Sequence, residues 1–241
     1  MTHEAPLDGV AMQGSLAGGT APRSRLPQVT FVADLVCPWC YLGFERLQAV
    51  AAREPFRLVW HPFLLNPHLP PDGIPRSVYV ERKFGAGYAE EAQRRAVRAA
   101  ATEGLELKLE RIRRQPSTVL AHALLLRSGE HLAEAARALY EAFFRDGRDL
   151  GSLTVLADVG GRFGIGIDEV RSASARVTAA HDTACRSGIN GVPLFLFGED
   201  HAIAGAQPAA ATLALLRLER YRLNVAATGA AGAEDQGLQA S

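Results

Sequence analysis

The rhythm of apolar and polar positions along this chain changes twice. Gln28 to Val36 (QVTFVADLV) is an apolar, β-branched run and predicts a strand. Pro38 to Arg53 shifts to helical spacing, with Pro38 in the first turn, where its fixed φ and missing N–H suit the backbone. Arg57 to Phe63 returns to strand character. A strand–helix–strand unit with a crossover of this length predicts parallel pairing.

The pattern then stays helical for about 120 residues. A Pro-rich loop, Asn66 to Pro75, leads to a short segment at Val80–Phe84 and a charged helix from Tyr88 to Glu103, stopped by Gly104. Ser117 to Arg127 predicts another helix. Leu132, Ala135, Ala136, Leu139, Tyr140, Phe143 and Phe144 recur on one helical face and predict a core-facing helix. Ser152 and Asp168 read as N-caps of two further helices, the second ending before Gly188. Strand signals come back at Val192–Phe197 and His201–Ala204, separated by Gly198-Glu199-Asp200, which predicts a hairpin. Pro208 to Tyr221 predicts a last helix. The order β-α-β, helical block, β-β-α describes an α/β domain built from residues 28–63 and 188–223, interrupted by an all-helical insertion over 64–187. Residues 1–27 and 224–241 are rich in small residues and are expected to be disordered.

Chemistry concentrates at Cys37-Pro38-Trp39-Cys40, where the first predicted strand hands over to a helix. Unpaired backbone N–H groups and the positive end of the helix dipole favour a thiolate at such a position, and the second cysteine follows one turn on. This spacing predicts reversible thiol–disulfide chemistry. With 3 cysteines in 241 residues the chain cannot hold a disulfide framework, which fits a reducing compartment. A structural zinc needs four ligands, and no second CxxC or close His pair accompanies the first, so no metal is expected. The formal charge of +0 gives no sign of nucleic acid or an acidic membrane as partner. No apolar run approaches the roughly 20 residues that span a bilayer. The N-terminal segment lacks the apolar stretch of a secretory signal, so the expected location is cytoplasmic.

Five spaced segments carry a wider likeness: Asp34–Gly43, Trp60–Pro67, Ser117–His122, Gly191-Val192-Pro193 and Gly205–Pro208. Over roughly Gln28 to Tyr221 the chain resembles the DsbA-like thioredoxin superfamily, within it the FrnE-like group whose members are also labelled 2-hydroxychromene-2-carboxylate isomerase-like. Ser117 departs from that pattern, where Asn is expected before Thr118. The resemblance implies a thioredoxin-like fold with a large all-helical insertion domain, and a protein disulfide oxidoreductase. It implies that Cys37 is the exposed nucleophile, Cys40 the resolving thiol, and Pro193 a cis-proline whose predecessor Val192 docks an extended substrate.

Pro38 and Trp39 then form a substrate-binding rim. Lacking a His beside the nucleophile, the pair is expected to be less oxidising than strongly oxidising relatives. Gln207 is a candidate for holding a peptide or a glutathione carboxylate. Asp34 is a candidate proton relay to Cys40 or a cap of its own loop, and His122 either faces the pair across a cleft or is a satisfied partner at a domain contact. His61 and Cys185 read as packing residues. No cofactor is implied beyond the redox disulfide itself, with glutathione a candidate co-substrate. The implied partners are protein or small-molecule thiols and disulfides, and the chain would be a monomer or a homodimer. The alternative is a glutathione-dependent isomerase or kappa-class-type transferase; such relatives usually carry Ser at the nucleophile and lack the second Cys.

Overall fold

The computed structural model describes residues 12–15, 26–85 and 88–237. Strands β1 (Met12–Ser15), β2 (Gln28–Ala33), β3 (Arg57–Pro62), β6 (Leu194–Phe197) and β7 (His201–Ala204) form one mixed sheet in the order β1-β3-β2-β6-β7. β2 and β3 run parallel, from Gln28 opposite Arg57 to Ala33 opposite Pro62, as the strand–helix–strand pattern predicts. The connection is α1 (Pro38–Ala51). β6 lies antiparallel to β2, Leu194 facing Val32, and β7 completes the hairpin.

The insertion carries α2 (Arg76–Phe84), α3 (Tyr88–Ala101), α4 (Val119–Arg127), α5 (Leu132–Phe144), α6 (Leu153–Gly161) and α7 (Ile167–Arg186). It is helical apart from a two-residue ladder of β4 (Ile74–Pro75) with β5 (Arg114–Gln115), too short for any sequence pattern to announce. One hydrophobic core runs through both parts. At its centre Phe31 stacks on Phe195 with ring centroids 4.7 Å apart and meets Trp60 edge-on at 5.3 Å. Tyr140 of α5 stacks on Tyr41 of α1 at 4.9 Å, so the helical face read from the sequence docks the insertion onto the CxxC helix. Burying such aromatic faces is the main stabilisation available here, on the order of 25 cal/mol per Å² of apolar area.

Three expectations change. β1 falls inside the segment expected to be disordered; its MQGS sequence has no strand signal, and its partner is the exposed edge of β3. Residues 1–11 and 16–25 lie outside the described residues, as do 238–241, so the expected disorder there has no structural counterpart. The last helix, α8 (Ala209–Gly237), continues through most of the tail expected to be disordered, because alanine favours helix even without a packing face. The cap before α7 is Gly166 in place of Asp168, which sits in the first turn, where a carboxylate still complements the dipole.

Candidate active site

The chain leaves β2 at Ala33, turns through Asp34-Leu35-Val36 and enters α1 at Cys37, whose extended backbone (φ −95°, ψ 113°) makes it the N-cap. The turn is closed by the Cys37 N–H donating to the Asp34 carbonyl at 3.2 Å. The Cys40 N–H donates to Cys37 Sγ at 3.3 Å, the contact that a helix N-terminus offers a sulfur anion. Both thiols are free. Cys40 is fully buried; burial pushes its thiol well above the ordinary range, and its hydrogen bond with Cys37 and the Cys37 charge add to the rise. The two sulfurs therefore differ in kind: one meets donors at a helix start, the other keeps its proton.

The Val192–Pro193 peptide bond is cis, as the resemblance implies. Cys37 Sγ lies 4.0 Å from the Val192 carbonyl oxygen. Val192 stands outside the β2–β6 register, which begins at Leu194. The loop is fastened from behind by the Gly205 N–H donating to the Pro193 carbonyl at 2.8 Å. Gly43 on α1 admits it: a Cβ there would lie 3.5 Å from Pro193 Cγ and 3.0 Å from Phe195 Cζ. One expectation is corrected here. Cys37 is only 4% exposed, because the Val192–Pro193 loop folds over the sulfur while Pro38 and Trp39 form a half-buried rim.

Beneath the pair lies a buried polar chain. Asp34, 1% exposed, accepts the Leu65 N–H on Oδ2 at 2.7 Å. Its Oδ1 faces His122 Nε2 at 3.4 Å, and neither atom has a hydrogen-bond partner among the described residues. His122 Nδ1 accepts the indole N–H of Trp60 at 3.1 Å. Indole can only donate, so the imidazole hydrogen sits on Nε2 and points at the carboxylate. His122 is thus brought to Asp34, not to an open cleft; it is wholly buried because α4 packs its Ala/Leu-rich face into the core. Tyr140 Oη reaches the Asp34 carbonyl at 3.5 Å.

Other candidates stand apart. The Gln207 side chain is exposed and donates to the Ala204 carbonyl at 3.1 Å, so it stiffens the turn. Arg46 of α1 holds that turn by donating to the Ala206 carbonyl at 2.6 Å while also bonding Glu103. His61 is buried, and burial pushes it down to about 4. His181 accepts the Leu64 N–H at 3.2 Å, so the Leu64–Leu65 strap is pinned by His181 and Asp34 together; Cys185, one turn on from that imidazole and 3.7 Å from it, is exposed and not packed as expected. Trp60, Tyr140 and His181 are site-supporting residues that the sequence gives only as core or helix positions. Trp60 stands beside His61 in a matched segment, and that adjacency is the one signal that pointed to it.

Among solved structures, three resemble this chain in fold. A probable DsbA oxidoreductase from Streptomyces coelicolor is 26% identical, covering 80% of this chain and 89% of its own, with a TM-score of 0.69. A 2-hydroxychromene-2-carboxylate isomerase is 17% identical over 88% of this chain and 98% of its own, TM-score 0.57. The cytosolic disulfide reductase DsbM from Pseudomonas aeruginosa, solved with glutathione, is 18% identical over 83% and 99%, TM-score 0.56. The latter two likenesses are of fold. From β2 through the CxxC helix, the insertion and the β6–β7 hairpin to the start of α8, residues 28–217 match the DSBA-like thioredoxin domain, and the chain belongs to that family.

Proposed function

We propose that this chain is a thiol–disulfide oxidoreductase that works through the Cys37–Cys40 pair in the cytoplasm, chiefly as a reductase or isomerase of protein or small-molecule disulfides. The observation that carries the reading is the contrast between the two sulfurs: Cys37 Sγ accepts a helix-start N–H, while Cys40 is fully buried with its proton retained.

In the reductive direction the Cys37 thiolate attacks one sulfur of a substrate disulfide. A Cys37–substrate disulfide forms, and the other substrate sulfur leaves as a thiolate that takes a proton from solvent. Cys40 must then lose its proton and attack Cys37 Sγ, which expels the second substrate thiol and leaves the Cys37–Cys40 disulfide. Two thiols of glutathione would restore the dithiol and yield glutathione disulfide. Because burial holds the Cys40 proton, its removal gates the second step, and the Asp34 carboxylate is the buried base whose charge Cys40 already feels. His122, oriented by Trp60, holds that carboxylate in place. Substrate chain would pair as an added strand beside Val192, over the rim of Pro38 and Trp39.

The direction follows from the compartment: against a cytosolic glutathione poise of roughly −220 to −320 mV, a pair that is not strongly oxidising stays reduced. The test is insulin-disulfide reduction by the full chain with glutathione as electron donor, together with the reduction potential of the pair. Activity lost in Cys37→Ser and a potential within the glutathione range support the reading. A potential well above it, with the oxidised form stable in cells, would reverse the direction. Glutathione-dependent turnover of an electrophile that survives Cys40→Ser would replace the oxidoreductase by the isomerase chemistry.

A further inference from the structure

A cavity of about 790 Å³ opens between α2, α3 and the turn around Leu109–Arg113 in the helical insertion. No residue of the redox site lines it. Its floor is apolar, made of Val97, Leu109 and the buried Ile112. Arg76, Arg94, Arg98 and Arg113 line it as well.

The charges there do not balance. Arg94 is matched by Glu90 at 3.2 Å and Glu91 at 2.9 Å. Among the described residues Arg76, Arg98 and Arg113 make no ion pair, although Glu110 also lines the cavity. Arg76 is half-buried, spends one donor on the neutral Gln115 amide, and lies 5.2 Å over the Tyr79 ring. A guanidinium withdrawn from water without a counter-charge is costly unless something supplies one.

A second feature points the same way. Arg76 and Ser77, both at the cavity, are the first two residues of the nine-residue helix α2. That helix has no side-chain cap and no acidic residue in its first turn; its Arg76 N–H is taken by the Arg113 carbonyl at 2.9 Å, and the dipole of the helix start adds to the positive charge of the arginines. In volume the cavity matches the roughly 300–1,000 Å³ of sites for small organic ligands.

We propose that this cavity binds a small organic anion, with a phosphate or carboxylate head held by Arg76, Arg98, Arg113 and the start of α2, and an apolar body resting on Val97, Leu109 and Ile112. The site is separate from the redox pair and does not depend on the proposed oxidoreductase reading.

Calorimetric titration of the full chain with phenyl phosphate, benzoate and inorganic phosphate tests it. Phenyl phosphate or benzoate is expected to bind, the tighter of the two naming the head group, and inorganic phosphate to bind at least about tenfold more weakly for want of an apolar body. Arg98→Ala and Arg113→Ala, at exposed positions where folding is not at stake, should each weaken binding about tenfold, with insulin reduction unchanged. Arg137→Ala, which breaks a surface pair with Glu45, should leave binding as it was. No heat with either organic anion up to about 10 mM, equal binding of inorganic phosphate, or indifference to both arginine substitutions would overturn the proposal.

Discussion

Asp34 faces two N–H groups, Leu65 in a hydrogen bond and His122 in a contact that falls short of one, and only an all-acceptor group suits both. The Leu65 N–H points at Oδ2 from 2.7 Å, and His122 Nε2–H at Oδ1 from 3.4 Å. The His122 hydrogen cannot move to the other nitrogen, because Nδ1 is taken by Trp60 Nε1. In Asp34→Asn, nearly isosteric, the amide can turn its oxygen to only one of them, so its NH2 meets a donor in either orientation. The better orientation keeps Leu65, exchanging a charge-assisted bond for a neutral one at about 1 kcal/mol. It leaves the NH2 against His122 in a fully buried site, at about 1–3 kcal/mol more. The expected loss is therefore about 2–4 kcal/mol, a large share of the stability of an ordinary domain. Urea unfolding followed by far-UV circular dichroism measures it, with the denaturant slope unchanged. The mechanism makes a sharper demand: in a His122→Phe background the donor conflict is gone, so Asp34→Asn should cost only the weakened Leu65 bond. The orphaned Trp60 N–H is common to both arms of that cycle and cancels. A coupling near zero, or an Asn variant within about 0.5 kcal/mol of wild type, would refute the reasoning.

Three further outcomes follow from the same geometry. Burial pushes His61 down to about 4 from an ordinary value near 6.5, so its stabilisation is present above about pH 6.5 and is lost as pH falls towards 4, by about 3 kcal/mol. Unfolding curves of wild type and His61→Phe should therefore converge in relative stability across that window, and a constant difference would count against it. Gly43→Val places its Cβ 3.0 Å from Phe195 Cζ and 3.5 Å from Pro193 Cγ, so it should cost about 1–3 kcal/mol and, by shifting the loop over Cys37, slow insulin reduction beyond what the lost stability explains. Wild-type turnover would contradict that. Cys40→Ser removes the resolving sulfur, so incubation with glutathione disulfide should accumulate a Cys37–glutathione adduct visible by non-reducing mass spectrometry, while wild type passes on to the internal disulfide. Equal adduct in both would place resolution elsewhere.

The periodic parts of the molecule were open to reading because their signals are local. An apolar β-branched run, a Pro in a first turn and the face from Leu132 to Phe144 each report on neighbours within a few residues, and β2, α1 and α5 form where those signals lie. β1 and the β4–β5 ladder were not open to reading, because two to four residues of strand owe their state to the edge they pair with. The surroundings of the thiols were legible only in part. The CxxC at a strand–helix junction fixes the N-cap sulfur by covalent spacing alone.

The order of elements, and the placing of Cys37 and Cys40 one turn apart at a helix start, thus follow from short-range backbone geometry along the chain. Which distant groups share their space emerges only in the packed fold. Val192, 155 residues on from Cys37, covers its sulfur. Asp34, His122 and Trp60, far apart in the chain, meet in the buried interior. Three arginines from three stretches of the insertion, none in an ion pair among the described residues, gather around one cavity. Contacts of that kind depend on how layers pack, and packing is a property of the whole chain, not of any window along it.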